Sequence, residues 1–358
     1  MNKLNIAVFY GGKSTEHEVS LHSAETVGAL LSPEKYNVYP IYVTREGRWL
    51  LQSKCGVTDA SAQEVMPILH GDAHLRCGAK EIKLDAAFPI IHGSYGEDGT
   101  LQGLFEQMDA AYVGCGVLAS AIGMDKEISK RIAALHGLPV LPHIALEKDV
   151  KYDIAALKTK TGEWGYPVFV KPVTLGSSVG VTRVETPEKL DEAIKYAFKF
   201  DTRVMIEKGV DHAREVVCGV LGAGEGTRAS KCGEVRPKHE FYDYNAKYID
   251  PDGMSLVIPA DIKPAIAGAM QRHSVEFFRA IRGSGLARID YLLSKSGDEF
   301  YFCEINTIPG FTSHSLYPRL WQATGIEPQA VVDELVAIAI ATKKERKALL
   351  LKPEHALC

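Results

Sequence analysis

Two carboxylates lie on neighbouring segments in the C-terminal third of the chain. Segments 285–290 and 300–306 both have strand-like composition, and the turn-like sequence 294–297 separates them. A hairpin centred on that turn would place Asp290 opposite Glu304, with both side chains on one face of the sheet. Facing oxygen ligands suit a hard cation such as Mg²⁺, which also keeps phosphate oxygens in its shell. We therefore predict a magnesium site on this hairpin.

The same register adds an amide and a positive charge to this face. Arg288 would lie opposite Asn306, and the alternation of each strand puts both beside the carboxylates. Glu304 could bridge two ions, and Arg288 could stabilise negative charge on a phosphoryl group or an oxyanion. The alternative is a solvated strand face with cross-strand salt bridges. Apolar neighbours favour the metal site, because unpaired carboxylates in a half-buried place are costly.

Two loops rich in glycine and hydroxyl side chains follow predicted strands. Loop 175–180 comes shortly after Lys171 and offers backbone N–H groups and the hydroxyls of Ser177 and Ser178 to phosphate oxygens. A flexible surface turn is the alternative, and no Gly-Lys-Ser/Thr sequence follows that would make it a Walker A loop. Loop 306–315 continues directly from the second metal strand and has the composition of an anion site.

His92 and Glu16 occupy equivalent places in the N-terminal part of the chain. His92 ends a predicted strand with three glycines nearby, and Glu16 comes shortly after the glycine pair 11–12 that ends the first strand. Ligands of open α/β sheets bind at the carboxyl ends of the strands. A carboxylate there can hold an ammonium group, although a lone histidine is more often structural.

The elements that carry these residues predict an α/β protein. Strands over 5–10, 36–43 and 86–91 alternate with helices, which is the pattern of a doubly wound domain. Similar alternation predicts a second α/β region, followed by strands, a long polar loop and helices. The predicted division is an N-terminal domain, a central lobe, a C-terminal lobe and a tail, at 1–120, 121–216, 217–345 and 346–358.

The composition excludes several classes of protein. The 358 residues are 46% hydrophobic and 24% charged with a net charge of -4, which is globular and argues against nucleic acid or an anionic membrane as partner. No apolar run is long enough for a signal peptide or a membrane span, so we expect a soluble, cytoplasmic protein. Seven scattered cysteines without a C-x-x-C pair argue against a disulfide framework or a zinc site.

Taken in order, these segments resemble the D-alanine–D-alanine ligases of the ATP-grasp superfamily. The resemblance runs from Gly11 to about Ile326 and rests on the ordered motifs GGKSTEHEVS, HGSYGEDG, MDK, GSSVG, YDYNAKY, ARID and EINTIPGFTSHS. It implies an N-terminal doubly wound (pre-ATP-grasp) domain followed by a two-lobed ATP-grasp fold. It also implies ATP-dependent ligation of two D-alanine molecules through a D-alanyl phosphate, for peptidoglycan precursors, by a homodimer.

The resemblance implies roles for the residues on the substrate side of the cleft. Glu16 would bind the amino group of the first D-alanine, with His92 near its carboxylate. Ser315 would bind the carboxylate of the second D-alanine. Tyr248 and Ser177 would hydrogen-bond with Glu16 and close a loop over both substrates.

The resemblance also implies an ATP site and a catalytic centre. The implied ATP contacts are Lys126, Lys171, Ser178 and Lys247 on the phosphate side, and Glu207, Glu215 and Phe241 around adenine and ribose. Two Mg²⁺ ions, with Mn²⁺ as an alternative, would bind Asp290, Glu304 and Asn306. Arg288 and the Gly310 backbone N–H would stabilise the tetrahedral intermediate. One departure is an extra residue, assigned to His212, between Glu207 and Glu215.

Other functions remain to be weighed against this one. The nearest alternative is a relative that makes D-alanyl-D-lactate or D-alanyl-D-serine. Relatives that use lactate lack the loop tyrosine, so Tyr248 favours the dipeptide. The motifs around His92 and Ser315 argue against another ATP-grasp ligase. A non-catalytic nucleotide-binding protein would have lost a metal ligand, whereas Asp290, Glu304 and Asn306 are all present. Gly11-Gly12 without a G-x-G-x-x-G pattern excludes a nicotinamide oxidoreductase.

Overall fold

The computed structural model describes residues 2–237 and 254–349. The predicted residues Phe241, Lys247 and Tyr248 and the end of the predicted tail, 350–358, lie outside the described residues. Within the described ranges the chain alternates strands and helices, so the predicted α/β class is confirmed.

The N-terminal sheet has a parallel centre and one antiparallel edge. Its order is β3-β2-β1-β7, formed by β1 (Leu4–Gly11), β2 (Tyr36–Val43), β3 (Trp49–Leu51) and β7 (Ala86–Pro89). β1 and β7 are buried along almost all of their length, which explains their apolar runs. Because β1 and β7 run parallel, their following loops leave the sheet at the same edge. These are the loops that carry Glu16 and His92.

Three helices and a small sheet complete this part of the chain. The helices are α1 (His17–Leu30), α2 (Thr100–Gln107) and α3 (Val117–Met124). The sheet is antiparallel and was not predicted, because its strands are only four residues long: β4 (Val65–Ile68), β5 (His74–Cys77) and β6 (Lys80–Lys83).

Helix α4 (Lys126–Leu135) connects the N-terminal part to the rest of the molecule. The Asp125 side chain caps it by accepting hydrogen bonds from the backbone N–H groups of Glu127 and Ile128. Such a cap stabilises a helix by about 1 kcal/mol. The Asp125 cap explains why α4 begins within the Met-Asp-Lys motif.

The central sheet is antiparallel and covered by two helices. Its order is β10-β9-β11-β8, from β8 (His143–Glu147), β9 (Val168–Pro172), β10 (Thr182–Val184) and β11 (Arg203–Lys208), with α5 (Ile154–Trp164) and α6 (Leu190–Ala197). Lys171 lies within β9, where it pairs with Met205 of β11. That pairing fixes the backbone of Lys171.

The C-terminal sheet carries the predicted metal hairpin. Its order is β14-β13-β12-β15-β16, from β12 (Arg214–Ala223), β13 (Arg228–Pro237), β14 (Met254–Val257), β15 (Ser284–Leu293) and β16 (Phe300–Asn306). The helices of this part are α7 (Pro264–Ala280), α8 (Leu316–Thr324) and α9 (Pro328–Lys347).

The buried apolar side chains form separate cores. One core joins the N-terminal sheet to the C-terminal part: Tyr10 and Phe88 share it with Phe311, Trp321 and Leu335. The central sheet has a core of its own, built on β9, β11 and α6. Helix α9 is also tied to the N-terminal part by hydrogen bonds from Lys35 Nζ and Tyr36 Oη to Asp333, both 2.7 Å long.

Two expectations about the surface and the cysteines can be compared with the structure. No helix in the described ranges is long and apolar enough to cross a membrane. The six cysteines within those ranges are free thiols, and five of them are buried. Cys218 and Cys232 lie opposite each other on β12 and β13.

Candidate active site

The β15–β16 hairpin has the predicted register at its functional end. Asp290 pairs with Glu304, and Arg288 pairs with Asn306. Nearer the turn the register differs by one residue, because Cys303 is the extra residue of a β-bulge. The bulge brings the two carboxylates into register, although strict alternation from the turn would have separated them.

The carboxylates of this hairpin contact cationic and amide groups of the same cleft. Arg288 forms a bidentate pair with Asp290, with Nε–Oδ1 and Nη2–Oδ2 distances of 2.7 Å. The Asn306 amide donates to Asp290 Oδ2 at 3.2 Å, and Lys126 Nζ lies 3.1 Å from Glu304 Oε2. No group of three or more His, Cys, Asp or Glu side chains within the described ranges is arranged to hold a metal ion. The third oxygen here is an amide, so the donor set is the hard, oxygen-only type that Mg²⁺ prefers.

Glu16 faces the glycine-serine loop across the cleft. It stands at the N-terminal end of α1, and Ser177 Oγ donates a 2.6 Å hydrogen bond to Glu16 Oε1. Ser177 and Ser178 both have positive φ, 53° and 58°, which turns the loop sharply. Lys126 Nζ donates to the Leu175 carbonyl at 2.8 Å and fixes the start of the loop.

His92 is buried and both of its ring nitrogens contact protein groups. Nδ1 lies 2.8 Å from the Ile308 carbonyl oxygen, which can only accept, so Nδ1 carries the proton. Nε2 accepts a 2.9 Å hydrogen bond from the Ser23 hydroxyl. Ser23 Oγ in turn accepts a hydrogen bond from the Phe311 backbone N–H at 3.2 Å. Burial lowers the pKa of His92 and outweighs the opposing effect of Glu16, so the imidazole is neutral. This chain of hydrogen bonds fastens the loop after β16 to the N-terminal sheet.

Glu97 makes a second connection between the same two loops. It was part of a predicted motif but had no predicted role. Its Oε1 accepts from the Gly93 N–H at 2.9 Å, and its Oε2 accepts from the Ile308 N–H at 3.0 Å. Its side chain is enclosed by protein, with only part of its surface open to the cleft. This burial, together with the nearby Glu16 carboxylate, raises its pKa from 4.5 to about 7.

The loop after β16 brings a glycine and a serine to the cleft. The Thr312 backbone N–H and hydroxyl both bond to Ser315 Oγ, at 2.9 and 2.8 Å. A Cβ atom at Gly310 would lie 3.0 Å from Ser315 Oγ, closer than ordinary contact. A side chain at 310 would therefore crowd Ser315, and Gly310 itself lines the cleft.

One cleft of about 520 Å³ collects most of the predicted residues. Those that line it are Glu16, His92, Lys126, Ser177, Glu215, Arg288, Asp290, Glu304, Asn306, Gly310 and Ser315. Lys171, Ser178 and Glu207 were also predicted, and they do not line this cavity. The cleft thus joins the N-terminal loops to the hairpin of the C-terminal sheet.

Glu207 lies next to the cleft between two lysines. Lys171 Nζ donates to its Oε2 at 2.5 Å, and Lys130 Nζ forms an ion pair with its Oε1 at 2.6 Å. Burial raises the pKa of Glu207, but Lys130 and Lys171 together outweigh it and lower the pKa to about 2. Burial lowers the pKa of Lys171, and Glu207 reverses this, so its pKa lies above the ordinary value.

Sequence reasoning missed Lys130. The available signal was its spacing, four residues after Lys126 and hence on the same face of α4.

The extra residue between Glu207 and Glu215 lies in a turn. β11 ends at Lys208 and β12 begins at Arg214, and His212 between them has a φ of 48°. Glu215 is the second residue of β12 and lines the cleft.

The sequence matches models of one family along nearly its whole length. The model described as D-ala D-ala ligase N-terminus matches residues 5–115, and the one described as D-ala D-ala ligase C-terminus matches residues 132–337. A D-alanine–D-alanine ligase of Thermoanaerobacter sp. (strain X514) is 40% identical over 357 residues, covering 97% of this chain and 99% of that protein. The corresponding protein of Bacillus cytotoxicus is 40% identical, covering 98% and 99%.

Solved structures give the same result for the fold. The D-alanine-D-alanine ligase from Coxiella burnetii superposes with a TM-score of 0.87 at 31% identity, covering 97% of each chain. The VanG D-Ala:D-Ser ligase from Enterococcus faecalis superposes with a TM-score of 0.82 at 35% identity, covering 94% of this chain and 100% of that one.

Proposed function

The chain belongs to the D-alanine–D-alanine ligase family, and from that premise we propose how the residues of its cleft divide the work. The enzyme joins two D-alanine molecules to D-alanyl-D-alanine at the expense of ATP, for peptidoglycan precursor synthesis. Its fold is an N-terminal doubly wound domain followed by a two-lobed ATP-grasp fold. The observation that carries the proposed mechanism is the shared face of Arg288, Asp290 and Glu304 at the bottom of the cleft.

Two Mg²⁺ ions, with Mn²⁺ as the alternative, are proposed to bind Asp290, Glu304 and Asn306. The oxygen-only donor set supports this, since hard cations choose carboxylate and amide oxygens. Bound there, the ions neutralise phosphate charge during phosphoryl transfer.

The ATP site is proposed to lie between the central and C-terminal sheets. Lys126, Lys171 and Ser178 contact the phosphates, and Glu207 and Glu215 contact adenine and ribose. The buried pair of Lys171 and Glu207 supports this, because it places a phosphate-seeking ammonium beside a hydrogen-bond acceptor for the base. Phe241 on the base and Lys247 on the γ-phosphate belong to the same proposal and lie outside the described residues.

The D-alanine sites are proposed to lie on the opposite wall. Glu16 binds the ammonium of the first D-alanine, and His92 lies near its carboxylate. Ser315 binds the carboxylate of the second, where its hydroxyl is already oriented by Thr312. Ser177 closes over the first substrate through Glu16, and Tyr248, outside the described residues, completes this closure.

The reaction then proceeds in two balanced steps. The carboxylate of the first D-alanine attacks the γ-phosphorus, the bond to the ADP oxygen breaks, and an acyl phosphate forms. The neutral amine of the second D-alanine attacks the acyl carbon, the bond to the phosphate oxygen breaks, and phosphate leaves with the proton that the nitrogen loses as the peptide bond forms. Arg288 and the Gly310 N–H stabilise the oxyanion of the second step. Closure of loop 175–180 protects the acyl phosphate from water.

We also propose the domain limits, the cellular location and the oligomeric state of the enzyme. The domain limits are at residues 120, 216 and 345, and the enzyme is a cytoplasmic homodimer. The family's precursor-forming activity supports the location, and sedimentation equilibrium would test the dimer.

The first experiment measures phosphate release from ATP and Mg²⁺, with products identified by mass. D-Alanine alone, D-alanine with D-serine, D-alanine with D-lactate, and L-alanine are compared. The D-serine arm is essential because a D-Ala:D-Ser ligase is among the similar structures. D-Alanyl-D-alanine from D-alanine alone is the expected product. Turnover only with a second, different acid would overturn the assignment of the second subsite.

A further inference from the structure

Lys130 is a fully buried lysine for which the reaction described above has no role. Its side chain has no solvent exposure, and it stands in the middle of the amphipathic helix α4. Burying an ammonium costs several kcal/mol unless partners compensate it. Its partners therefore indicate what it is for.

The ammonium of Lys130 contacts the adenine-side carboxylate and the metal strand at once. It forms the 2.6 Å ion pair with Glu207 Oε1 and donates a 2.9 Å hydrogen bond to the Phe302 carbonyl of β16. One turn earlier on the same helix, Lys126 contacts Glu304 of that strand. One face of α4 thus sets the position of β11 relative to β16.

Glu207 has one negative charge and two ammonium partners. Lys171 reaches it from β9 and, unlike Lys130, keeps some exposure, with 12% of its side chain accessible. When Lys171 contacts an ATP phosphate, Glu207 needs the second ammonium to remain an ionised acceptor. Without it, burial alone would raise the pKa of Glu207, since burial is the largest influence on that carboxylate.

We propose that Lys130 is a positioning residue for nucleotide binding: it holds the Glu207 carboxylate charged and oriented while Lys171 is shared with the ATP phosphates. This inference rests on the proposed contacts of Glu207 and Lys171 with ATP. It assigns to α4 a function in recognising the base as well as the phosphates.

The test is a double-mutant cycle on the full-length enzyme, with Lys130→Met, Glu207→Gln and the double variant. The KM for ATP, the KM for D-alanine and the preference for ATP over ITP are measured. ITP has an oxo group in place of the adenine amino group, so it reports on an acceptor at the base. Lys130→Met is expected to raise the KM for ATP about tenfold and to lower the ATP preference, with the KM for D-alanine unchanged. In the Glu207→Gln background the same change is expected to add less than about twofold.

The outcomes distinguish failure of the proposed Glu207 base contact from failure of the positioning role of Lys130. Glu207→Gln with unchanged KM for ATP and unchanged base preference would overturn the proposed base contact, and with it the role of Lys130. If Glu207→Gln does raise the KM for ATP, two results would overturn the positioning role alone. One is an unchanged KM for ATP in Lys130→Met. The other is a KM in the double variant that equals the product of the two single effects. Arg131→Met, at an exposed neighbouring position of α4, controls for the loss of a cation on this helix. Should Lys130→Met fold poorly, Lys130→Gln is used, and a uniform loss of activity without change in base preference overturns the proposal.

Discussion

Ser177 Oγ and Glu16 Oε1, 161 positions apart in sequence, are joined by a 2.6 Å hydrogen bond across the cleft. It links the glycine-serine loop of the central lobe to the N-terminal domain at the proposed ammonium site.

Ser177→Ala should weaken closure of the loop over the first substrate. A hydrogen bond to a charged group contributes about 1.5–3 kcal/mol, so kcat/KM for D-alanine should fall at least about tenfold. Because the acyl phosphate becomes exposed to water, phosphate released per dipeptide formed should rise above one. Ser296→Ala, in the exposed turn of the β15–β16 hairpin, is the matched control. A ratio that stays at one would remove the protective role from this loop.

Glu304→Gln should abolish turnover and leave the fold intact. The change keeps the shape of the side chain but removes the charge at the centre of the proposed metal site, so kcat should fall more than about a hundredfold. Circular dichroism and thermal unfolding should resemble those of the parent. Glu299→Gln, exposed at the other end of the same hairpin, should leave kcat unchanged. Near-normal turnover in Glu304→Gln would refute the metal assignment.

Glu97 should make the stability of the enzyme depend on pH. Its folded pKa of about 7 exceeds the ordinary 4.5, so between these values the folded state binds more protons than the unfolded state. The free energy of unfolding should therefore fall as the pH rises from 4.5 to 7, by at most about 3 kcal/mol from this residue. Urea unfolding of the parent and of Glu97→Gln at several pH values measures the difference. A constant difference across this range would show that Glu97 does not titrate there.

Gly310→Ala should lower turnover through crowding. The new Cβ would lie 3.0 Å from Ser315 Oγ, so the loop must shift by a few tenths of an ångström. The shift moves the Gly310 N–H from the oxyanion and disturbs the second D-alanine site. We expect kcat to fall about tenfold or more and the KM for D-alanine to rise, with the KM for ATP unchanged. Gly103→Ala, where a Cβ meets nothing within 4 Å, is the control.

The hairpin shows how far the sequence alone could go. A hairpin centred on the turn 294–297 placed Asp290 opposite Glu304, and the pairing is correct because a bulge shifts the register by one residue between the turn and the site. The bulge at Cys303 could not be foreseen, since it depends on the partner strand. The pairing at the site is therefore correct, although the register nearer the turn differs.

Lys130 shows where sequence reasoning stopped. A lysine on an amphipathic helix has the sequence appearance of a surface residue, and only the position of β11 and β16 shows that it is buried. Likewise, β9 includes Lys171 because that residue pairs with Met205 of β11, although Pro172 disfavours continuation of a strand. In both cases long-range contacts decided the result.

The two cores imply that the cleft has one fixed wall and one moving wall. The N-terminal domain and the C-terminal lobe share a continuous apolar core, and His92 and Glu97 fasten the loop after β16 to the N-terminal side. The central sheet has an independent core and reaches the first domain through polar contacts such as that of Ser177. Breaking polar contacts costs far less than dividing a core, so substrates should enter and products leave by a swing of the central lobe alone. In that case the proposed oxyanion donors and D-alanine sites would stay assembled through the catalytic cycle, and only the proposed nucleotide side would open.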